Sequence, residues 1–150
     1  MAGLYYEQLD IGQEFHHILA RTVTEADNMW FSCMTLNVQP LHIARDFAEG
    51  TEFGQPIVNS LFTLGLLVGM TVYDTTLGTT IANLGMNNIT FPKPVFHGDT
   101  IHAQTKVLSK RESKSRPNAG IVDFEHIATK QNGEIVCRCE RAALMLKKPV

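Results

Sequence analysis

The sequence predicts an α+β fold in which a curled antiparallel sheet of about five strands wraps around a long buried helix. Residues 59–74 are apolar on almost every side, which indicates a helix enclosed by protein. Most of the remaining chain, above all residues 79–147, consists of alternating or short apolar runs bounded by turn residues, as in strands. Wrapping the sheet around the helix buries both. Its open edge predicts a homodimer or a dimer-based higher oligomer.

The first elements are a strand and a helix. Residues 14–23 follow a glycine turn and have the character of a strand. Thr24 can cap a helix that begins with acidic residues, and this helix should end near Leu36 because Pro40 cannot continue it. A short helix is expected over residues 44–49. Four side chains at helical spacing give the first helix an apolar face: Met29, Trp30, Cys33 and Met34.

The long helix begins at Asn59 and contains two glycines four residues apart, Gly65 and Gly69. Because its sequence has no polar face, we expect protein on most of its sides. The glycines would allow something to pack closely along one ridge of the helix. We interpret them as making room for side chains of the sheet.

The second half of the chain predicts four strands. The Asn132-Gly133 pair lies between two strand-like runs and predicts a tight hairpin. The four predicted strands cover residues 79–91, 101–107, 121–130 and 134–147. Opposite charges on the last two strands are expected to form solvated pairs, Asp123 and Glu125 with Arg138 and Arg141.

The composition indicates one globular domain over residues 1–150, with no transmembrane or secretory segment. The net charge of -2 gives no reason to expect nucleic acid as a partner. The three cysteines form neither a disulfide framework nor a four-ligand zinc pattern, so we expect core packing and a reducing cytoplasm. The histidines lack metal-binding spacing, and no metal site is predicted.

Residues 37–42, Asn-Val-Gln-Pro-Leu-His, place His42 just after a rigid turn. The long helix then opens with the polar pair Asn59 and Ser60. A histidine can exchange protons near neutral pH, and a helix N-terminus favours developing negative charge. The two segments therefore have the parts of an acid/base group facing an anion-stabilising site.

These motifs resemble those of the MaoC-like dehydratases, the R-specific enoyl-CoA hydratase branch of the hot-dog fold. The family's Asp-x-Asn-Pro-Leu-His motif is matched by residues 37–42, and its Phe-x-x-Pro-Val-x-x-Gly-Asp run by residues 91–99. Where the family has Asp, Asn and Gly, this chain has Asn37, Gln39 and Ser60. Variants of this kind resemble the mesaconyl-CoA or itaconyl-CoA hydratase subgroup, which acts on short branched dicarboxylic acyl-CoA esters.

The resemblance implies a hydro-lyase that reversibly hydrates a short enoyl-CoA to a 3-hydroxyacyl-CoA, with no cofactor beyond the coenzyme A of its substrate. In this reading His42 is the acid/base, Asn37 orients water, and the Ser60 N–H stabilises the enolate. Substrate contacts are expected from the matched motifs and from the basic loop 110–118, whose cations can meet the phosphates of coenzyme A; that loop can equally be a solvated hairpin. The residues are Gln39, Asn59, Phe91, Lys114 and Arg116.

An asparagine at position 37 leaves three explanations open. Asp46 or Asp99 can replace the missing carboxylate, the substrate's own carboxylate can assist, or the protein binds acyl-CoA without efficient turnover. Two other functions compete with hydration: a hot-dog acyl-CoA thioesterase, and a non-catalytic acyl-CoA-binding partner of an active paralogue.

Overall fold

The computed structural model describes residues 3–149. These residues form five strands, four α-helices and one 3-10 turn at Tyr6–Gln8. The strands are β1 (Glu14–Thr22), β2 (Thr80–Thr90), β3 (Thr100–Glu112), β4 (Ala119–Lys130) and β5 (Ile135–Leu146). The helices are α1 (Glu25–Met34), α2 (Pro40–Ile43), α3 (Arg45–Glu49) and α4 (Ser60–Thr75).

The strands form one antiparallel sheet in the order β1-β3-β4-β5-β2, which leaves β1 and β2 as edges. This confirms the predicted α+β class and the predicted strands. The short helix α2 was not predicted, because Pro40 was interpreted only as a helix stop. Pro40 is also the first residue of α2, a position where its missing N–H costs no helix hydrogen bond. No helix within residues 3–149 is both long and apolar enough to cross a membrane.

The hairpin between β4 and β5 forms as predicted, with Gly133 at φ 84°. One of the expected cross-strand ion pairs is confirmed, with Arg138 3.7 Å from Glu125. The pairing of Asp123 with Arg141 is wrong. Asp123 binds Arg111 at 3.1 Å, and Arg141 points away from solvent with only 4% of its surface exposed.

The helix α4 packs on the inner face of the sheet and forms the larger apolar core. Leu67 and Met70 contact strand residues that include Cys137 and Cys139, both fully buried. Burial raises the pKa of the Cys137 thiol to about 12, so this thiol stays protonated and packs as a small apolar group. The expected packing role of these two cysteines is confirmed.

A second apolar core lies farther along the same face, under the N-terminal segment. Tyr6 and Leu9 cover Phe124 and its neighbours there. The Tyr6 ring lies so close to Gly120 that a Cβ at this position would overlap it. The absence of a side chain at residue 120 therefore allows the N-terminal segment to close this end of the sheet.

One side of α4 is not covered. Leu61 and Tyr73 are 58% and 54% exposed, and Gly65 and Gly69 lie between them on the same face. A Cβ built on either glycine meets nothing within 4 Å. The interpretation that these glycines make room for the sheet is wrong, because they lie on the solvent side.

The apolar face of α1 also points outward. Trp30 and Met34 are 70% and 75% exposed, whereas the fully buried side chains of this helix are the polar Asn28 and Ser32. The helix therefore turns its polar side toward the interior, where the N-terminus of α4 needs hydrogen-bond partners.

Candidate active site

The helix α2 holds His42 against the segment that leads into α4. His42 Nδ1 lies 2.9 Å from the carbonyl oxygen of Ile57, and the Ile57 N–H donates to the carbonyl of Leu41 at 3.3 Å. A carbonyl can only accept, so Nδ1 carries a proton. In a neutral imidazole the other nitrogen, Nε2, is then free to act as a base.

The first turn of α4 provides backbone donors. Asn59 caps the helix: its side-chain oxygen accepts from the Leu61 N–H at 3.0 Å, and its amide nitrogen lies 3.4 Å from the Ser32 hydroxyl. Ser60 is the first helical residue and is exposed. Its φ is not positive, so the Cβ that distinguishes it from glycine causes no backbone strain. The Ser60 N–H points to no acceptor within residues 3–149, as is usual for the first turn of a helix.

Asn28 joins the two halves of this region, a role that the sequence motifs did not predict. Its side-chain oxygen accepts from the Asn59 N–H at 2.8 Å, and its amide nitrogen lies 3.1 Å from the carbonyl oxygens of both His42 and Ile57. Asn28 is fully buried. It therefore holds the histidine and the helix start in one rigid arrangement.

A second histidine, His97, contacts the same amide group. Its Nε2 lies 3.0 Å from the amide nitrogen of Asn28, which can only donate, so Nε2 is unprotonated. Partial burial lowers the pKa of His97, which is consistent with the neutral form. His97 supports the arrangement held by Asn28, and among the described residues no hydrogen bond joins its ring to the side chain of His42.

The segment between α1 and α2 presents Asn37. The helix α1 ends in a Schellman motif: Leu36 N–H donates to Cys33 O at 3.1 Å, and Asn37 N–H donates to Ser32 O at 2.9 Å. Leu36 has φ 58°, a left-handed conformation in which glycine is usual. The Asn37 side-chain oxygen accepts from the Gln39 N–H at 3.2 Å, which leaves its amide N–H₂ as a potential donor to water.

A cavity of about 320 Å³ opens beside the first turn of α4. Ser60 and Thr63 form part of its wall, together with Ile57, which holds His42. Phe91, predicted to contact the substrate, also lines it. The remaining lining residues are Phe53, Val58, Pro92, Lys93, Pro94, Val95 and Val136.

The other predicted substrate contacts are more scattered. Gln39 is exposed at the start of α2, on the same segment as Asn37. Lys114 and Arg116 lie in the exposed loop between β3 and β4. That loop follows the far end of β3, roughly 40 Å of extended chain from the end near His97. The structure therefore does not bring these two cations together with His42 and Ser60 of the same protomer.

The carboxylates considered as replacements for the family's aspartate are occupied or distant. Asp99 accepts from the Phe96 N–H and the Gln131 side chain, both at 2.9 Å. Asp46 is exposed on α3. The first turn of α4 contains no acidic residue, and no carboxylate of the described chain hydrogen-bonds to His42.

A separate row of polar side chains crosses the inner face of the sheet between the two apolar cores. His17 Nδ1 lies 2.9 Å from Asp74, and His17 Nε2 lies 2.8 Å from the Thr105 hydroxyl. The same hydroxyl lies 2.8 Å from His126, which accepts from the Arg141 guanidinium at 3.1 Å. Desolvation by burial, helped by the charge of Arg141, lowers the pKa of His126 to about 3.

This row contains an Asp–His–Thr arrangement like that of a nucleophilic triad. His17 and Thr105 are 7% and 3% exposed, so no substrate can reach the hydroxyl. The row is structural. Within residues 3–149, no group of three or more His, Cys, Asp or Glu side chains has the arrangement of a metal site.

Comparison with known proteins gives the family. The model of the MaoC-like domain matches residues 7–130. The chain is 29% identical to a mesaconyl-CoA hydratase of Cereibacter sphaeroides over 98% of its length, and 28% identical to a β-methylmalyl-CoA dehydratase of Chloroflexus aurantiacus over 97%. It spans 42% and 41% of these two relatives, about two fifths of each.

Solved structures give the same result for the fold. A protein of Archaeoglobus fulgius described as a monoamine oxidase regulatory protein superimposes with a TM-score of 0.88 at 33% identity, covering 99% of this chain and 98% of that one. A Mycobacterium tuberculosis protein described as a double hotdog fold superimposes with a TM-score of 0.86 at 20% identity, covering 98% of this chain and 45% of that one. The chain belongs to the MaoC-like domain family and has the hot-dog fold.

Proposed function

We propose that this protein reversibly adds water to a short enoyl-CoA thioester and forms a 3-hydroxyacyl-CoA. One observation carries the proposal: His42, whose Nδ1 proton is held by Ile57, is bracketed through Asn28 to the helix start at Ser60. A base and an unpaired backbone donor are the two groups that hydration of a conjugated thioester requires. The relatives named as hydratases and dehydratases support the same chemistry.

The proposed reaction uses two groups of the chain in sequence. His42 Nε2 takes a proton from water as the oxygen bonds to the β-carbon of the substrate. The electron pair of the double bond moves toward the thioester, and the Ser60 N–H stabilises the resulting enolate oxygen at the positive end of the α4 dipole. The histidine then returns its proton to the α-carbon, so water adds across one face and no cofactor is consumed.

Asn37 has a different role in this proposal from the aspartate of its relatives. An amide cannot exchange a proton at neutral pH, but its free N–H₂ can donate a hydrogen bond to the attacking water. Its oxygen is held by the Gln39 backbone, which fixes the side chain for this task. Asn59 holds the first turn of α4 by accepting from the Leu61 N–H, the backbone N–H of Gln39 holds Asn37, and Phe91 contacts the acyl group in the cavity.

Short branched dicarboxylic acyl groups are the substrates we favour. A mesaconyl-CoA hydratase and a β-methylmalyl-CoA dehydratase, both similar to this chain, are named for the two sides of one hydration of such a group. Replacing Asn37 with Asp tests this preference. We expect faster turnover of simple straight enoyl-CoAs and slower turnover of branched diacid esters; the reverse pattern would contradict it.

A second copy of the chain is the proposed partner. The exposed stripe of α4, from Leu61 to Tyr73, and the apolar side chains of α1 leave surface that a partner would cover. The two named relatives are more than twice as long as this chain, and one solved neighbour is described as a double hotdog. In such a pair, Lys114 and Arg116 of one protomer would bind the phosphates of the coenzyme A held by the other protomer.

A turnover screen of the purified protein tests the function. Straight, branched and dicarboxylic enoyl-CoAs are incubated with the protein, and products are identified by mass as a gain of one water. Release of free coenzyme A thiol instead would identify a thioesterase, and binding without any product would identify an acyl-CoA binder. Light scattering at several protein concentrations, during the same screen, reports whether the active species is a dimer.

A further inference from the structure

Lys93 is the one charged side chain on the wall of the cavity beside Ser60, as far as the described residues show. The other lining residues are apolar or neutral, from Phe53 and Phe91 to Thr63. A cation on an apolar wall favours a ligand with an anionic group, because water in such a cavity is partly displaced when the ligand binds.

The backbone that carries Lys93 is held on both sides. The chain bends at Lys93, and Pro92 and Pro94 on either side limit the backbone conformations of this segment. The carbonyl of Pro94 accepts from the Lys130 ammonium at 3.3 Å, and the carbonyl of Val95 accepts from the Val58 N–H at 2.8 Å. The Lys93 side chain is therefore flexible, but its backbone is fixed. Two residues after it, the carbonyl of Val95 anchors Val58 in the segment that leads into α4.

The ammonium of Lys93 has no internal anion to satisfy it. No carboxylate within residues 3–149 lies within 4.0 Å of it. The charge of Lys93 lowers the pKa of Glu134, but it is the smallest of the causes, after the hydrogen bonds from Asn132 and Lys130. Glu134 is thus already paired at 3.2 Å with Lys130.

We propose that Lys93 binds the distal carboxylate of a dicarboxylic acyl group and so selects that substrate class. This inference rests on the proposed hydratase function. A cavity of about 320 Å³ is about 8 Å across if spherical. The two carboxyl carbons of an extended four-carbon diacid are only about 4 Å apart. One end can therefore accept from the Ser60 N–H while the other meets the lysine.

A phosphate of coenzyme A offers the same anionic oxygens. It lies beyond the whole pantetheine arm from the thioester, however, whereas Lys93 shares a cavity with the donor that the thioester oxygen would use. The acyl carboxylate is therefore the source we commit to. The two sources predict different behaviour toward substrates that lack a second carboxylate.

The test compares kcat/KM for mesaconyl-CoA and crotonyl-CoA in the wild type and in Lys93→Gln. We expect the variant to lose about 10- to 100-fold on mesaconyl-CoA, the effect of one charged hydrogen bond, and less than twofold on crotonyl-CoA. Lys93→Arg should retain most of the activity. As a matched control, Lys106→Gln removes a cation that pairs with Glu14 on another face and should change neither substrate.

An equal loss on both substrates would assign Lys93 to the coenzyme A moiety, and no loss on either would remove it from recognition; both results overturn the proposal. A binding measurement separates this from failure of the hydratase function. Succinyl-CoA and butyryl-CoA cannot be hydrated, so calorimetry compares their Kd values without turnover. We expect the wild type to prefer succinyl-CoA and Lys93→Gln to lose that preference; equal affinities in the wild type would overturn the proposal even if hydration occurs.

Discussion

Two pairs of histidines lie in polar clusters of this protein, and only one pair is accessible. The Asn28 cluster, defined as Asn28 with His42, His97 and Asn59, is joined to an open cavity through Ile57 and Ser60, which line that cavity. The buried row, defined as Asp74, His17, Thr105, His126 and Arg141, lies between two apolar cores. Both fix their imidazoles by hydrogen bonds to groups that can only donate or only accept.

The difference between the clusters is one of access rather than geometry. The buried row has the better-formed triad, yet its hydroxyl is 3% exposed. The Asn28 cluster lacks a carboxylate, yet it holds two imidazoles close to a helix start whose first residue, Ser60, lines a cavity. Along the inner face of the sheet the two apolar cores and the buried row fill the space, and the cavity opens at the start of α4.

The largest expected effect is on catalysis at the accessible cluster. His42→Gln should lower kcat for enoyl-CoA hydration by about 10²- to 10⁴-fold, the usual contribution of one acid/base group. The glutamine amide can still bond to the Ile57 carbonyl, so the thermal midpoint should stay within a few degrees. Steady-state kinetics with product detection by mass checks this, and full activity in the variant would remove His42 from the mechanism.

The matching change in the buried row should affect stability instead. Thr105→Val keeps the shape of the side chain and removes the hydroxyl that bonds to His17 and His126, both at 2.8 Å. Leaving two buried ring nitrogens unpaired should lower the free energy of unfolding by about 2–4 kcal/mol. Urea titration measures the loss. A large fall in kcat at an unchanged fold would mean that the row acts in the reaction.

Acid should destabilise the protein through the buried row. The pKa of His126 is about 3 in the folded protein against an ordinary value of 6.5, so between these values the unfolded chain binds more protons. The free energy of unfolding should therefore be highest above pH 6.5 and fall by about 2 kcal/mol by pH 5. Urea midpoints across this range test it.

The control for this pH dependence is His126→Asn, in which the slope from residue 126 should disappear whatever the variant's absolute stability. His102→Gln, on the exposed side of β3, should keep it. A slope unchanged by His126→Asn would assign the acid sensitivity to another group.

The smallest effect concerns the strained turn beside the accessible cluster. Leu36→Gly should raise the free energy of unfolding by about 0.5–1 kcal/mol. A φ of 58° costs a leucine about 1–2 kcal/mol, and glycine avoids this cost but loses more backbone entropy when the chain folds. The leucine side chain is 83% exposed, so little packing is lost. Val38→Gly, at an exposed position without positive φ, should destabilise. Equal effects of both changes would exclude strain at Leu36.

The sequence predicted the elements that depend on local patterns. The apolar run of α4, the alternation along β3 and the Asn132-Gly133 hairpin all formed as expected, because each reflects short-range geometry. The orientation of α1 did not follow the same logic. Its apolar residues form one face, as predicted, but that face points outward. Asn28 and Ser32 are inside because the start of another helix requires partners there.

The candidate site was predictable only where a residue carries its own chemistry. His42 and Ser60 were identified from the motif and lie close to the same cavity through Ile57. Asn28 was missed, although it and Ser32 are four residues apart and opposite the apolar side chains, which was the available signal. The distance of Lys114 and Arg116 from the cavity depends on the length of β3, which no local pattern reveals.

The buried row has a consequence for charge movement in the core. Arg141 can only donate and an ionised Asp74 can only accept, so with a neutral His17 each hydrogen bond between them has one allowed direction. A proton wire needs every link to reverse after a proton has passed, and a guanidinium cannot accept one. The row therefore cannot conduct a proton along its length. Its hydrogen-bonded protons stay in the core and do not mix with those that a reaction at the cavity would exchange with water.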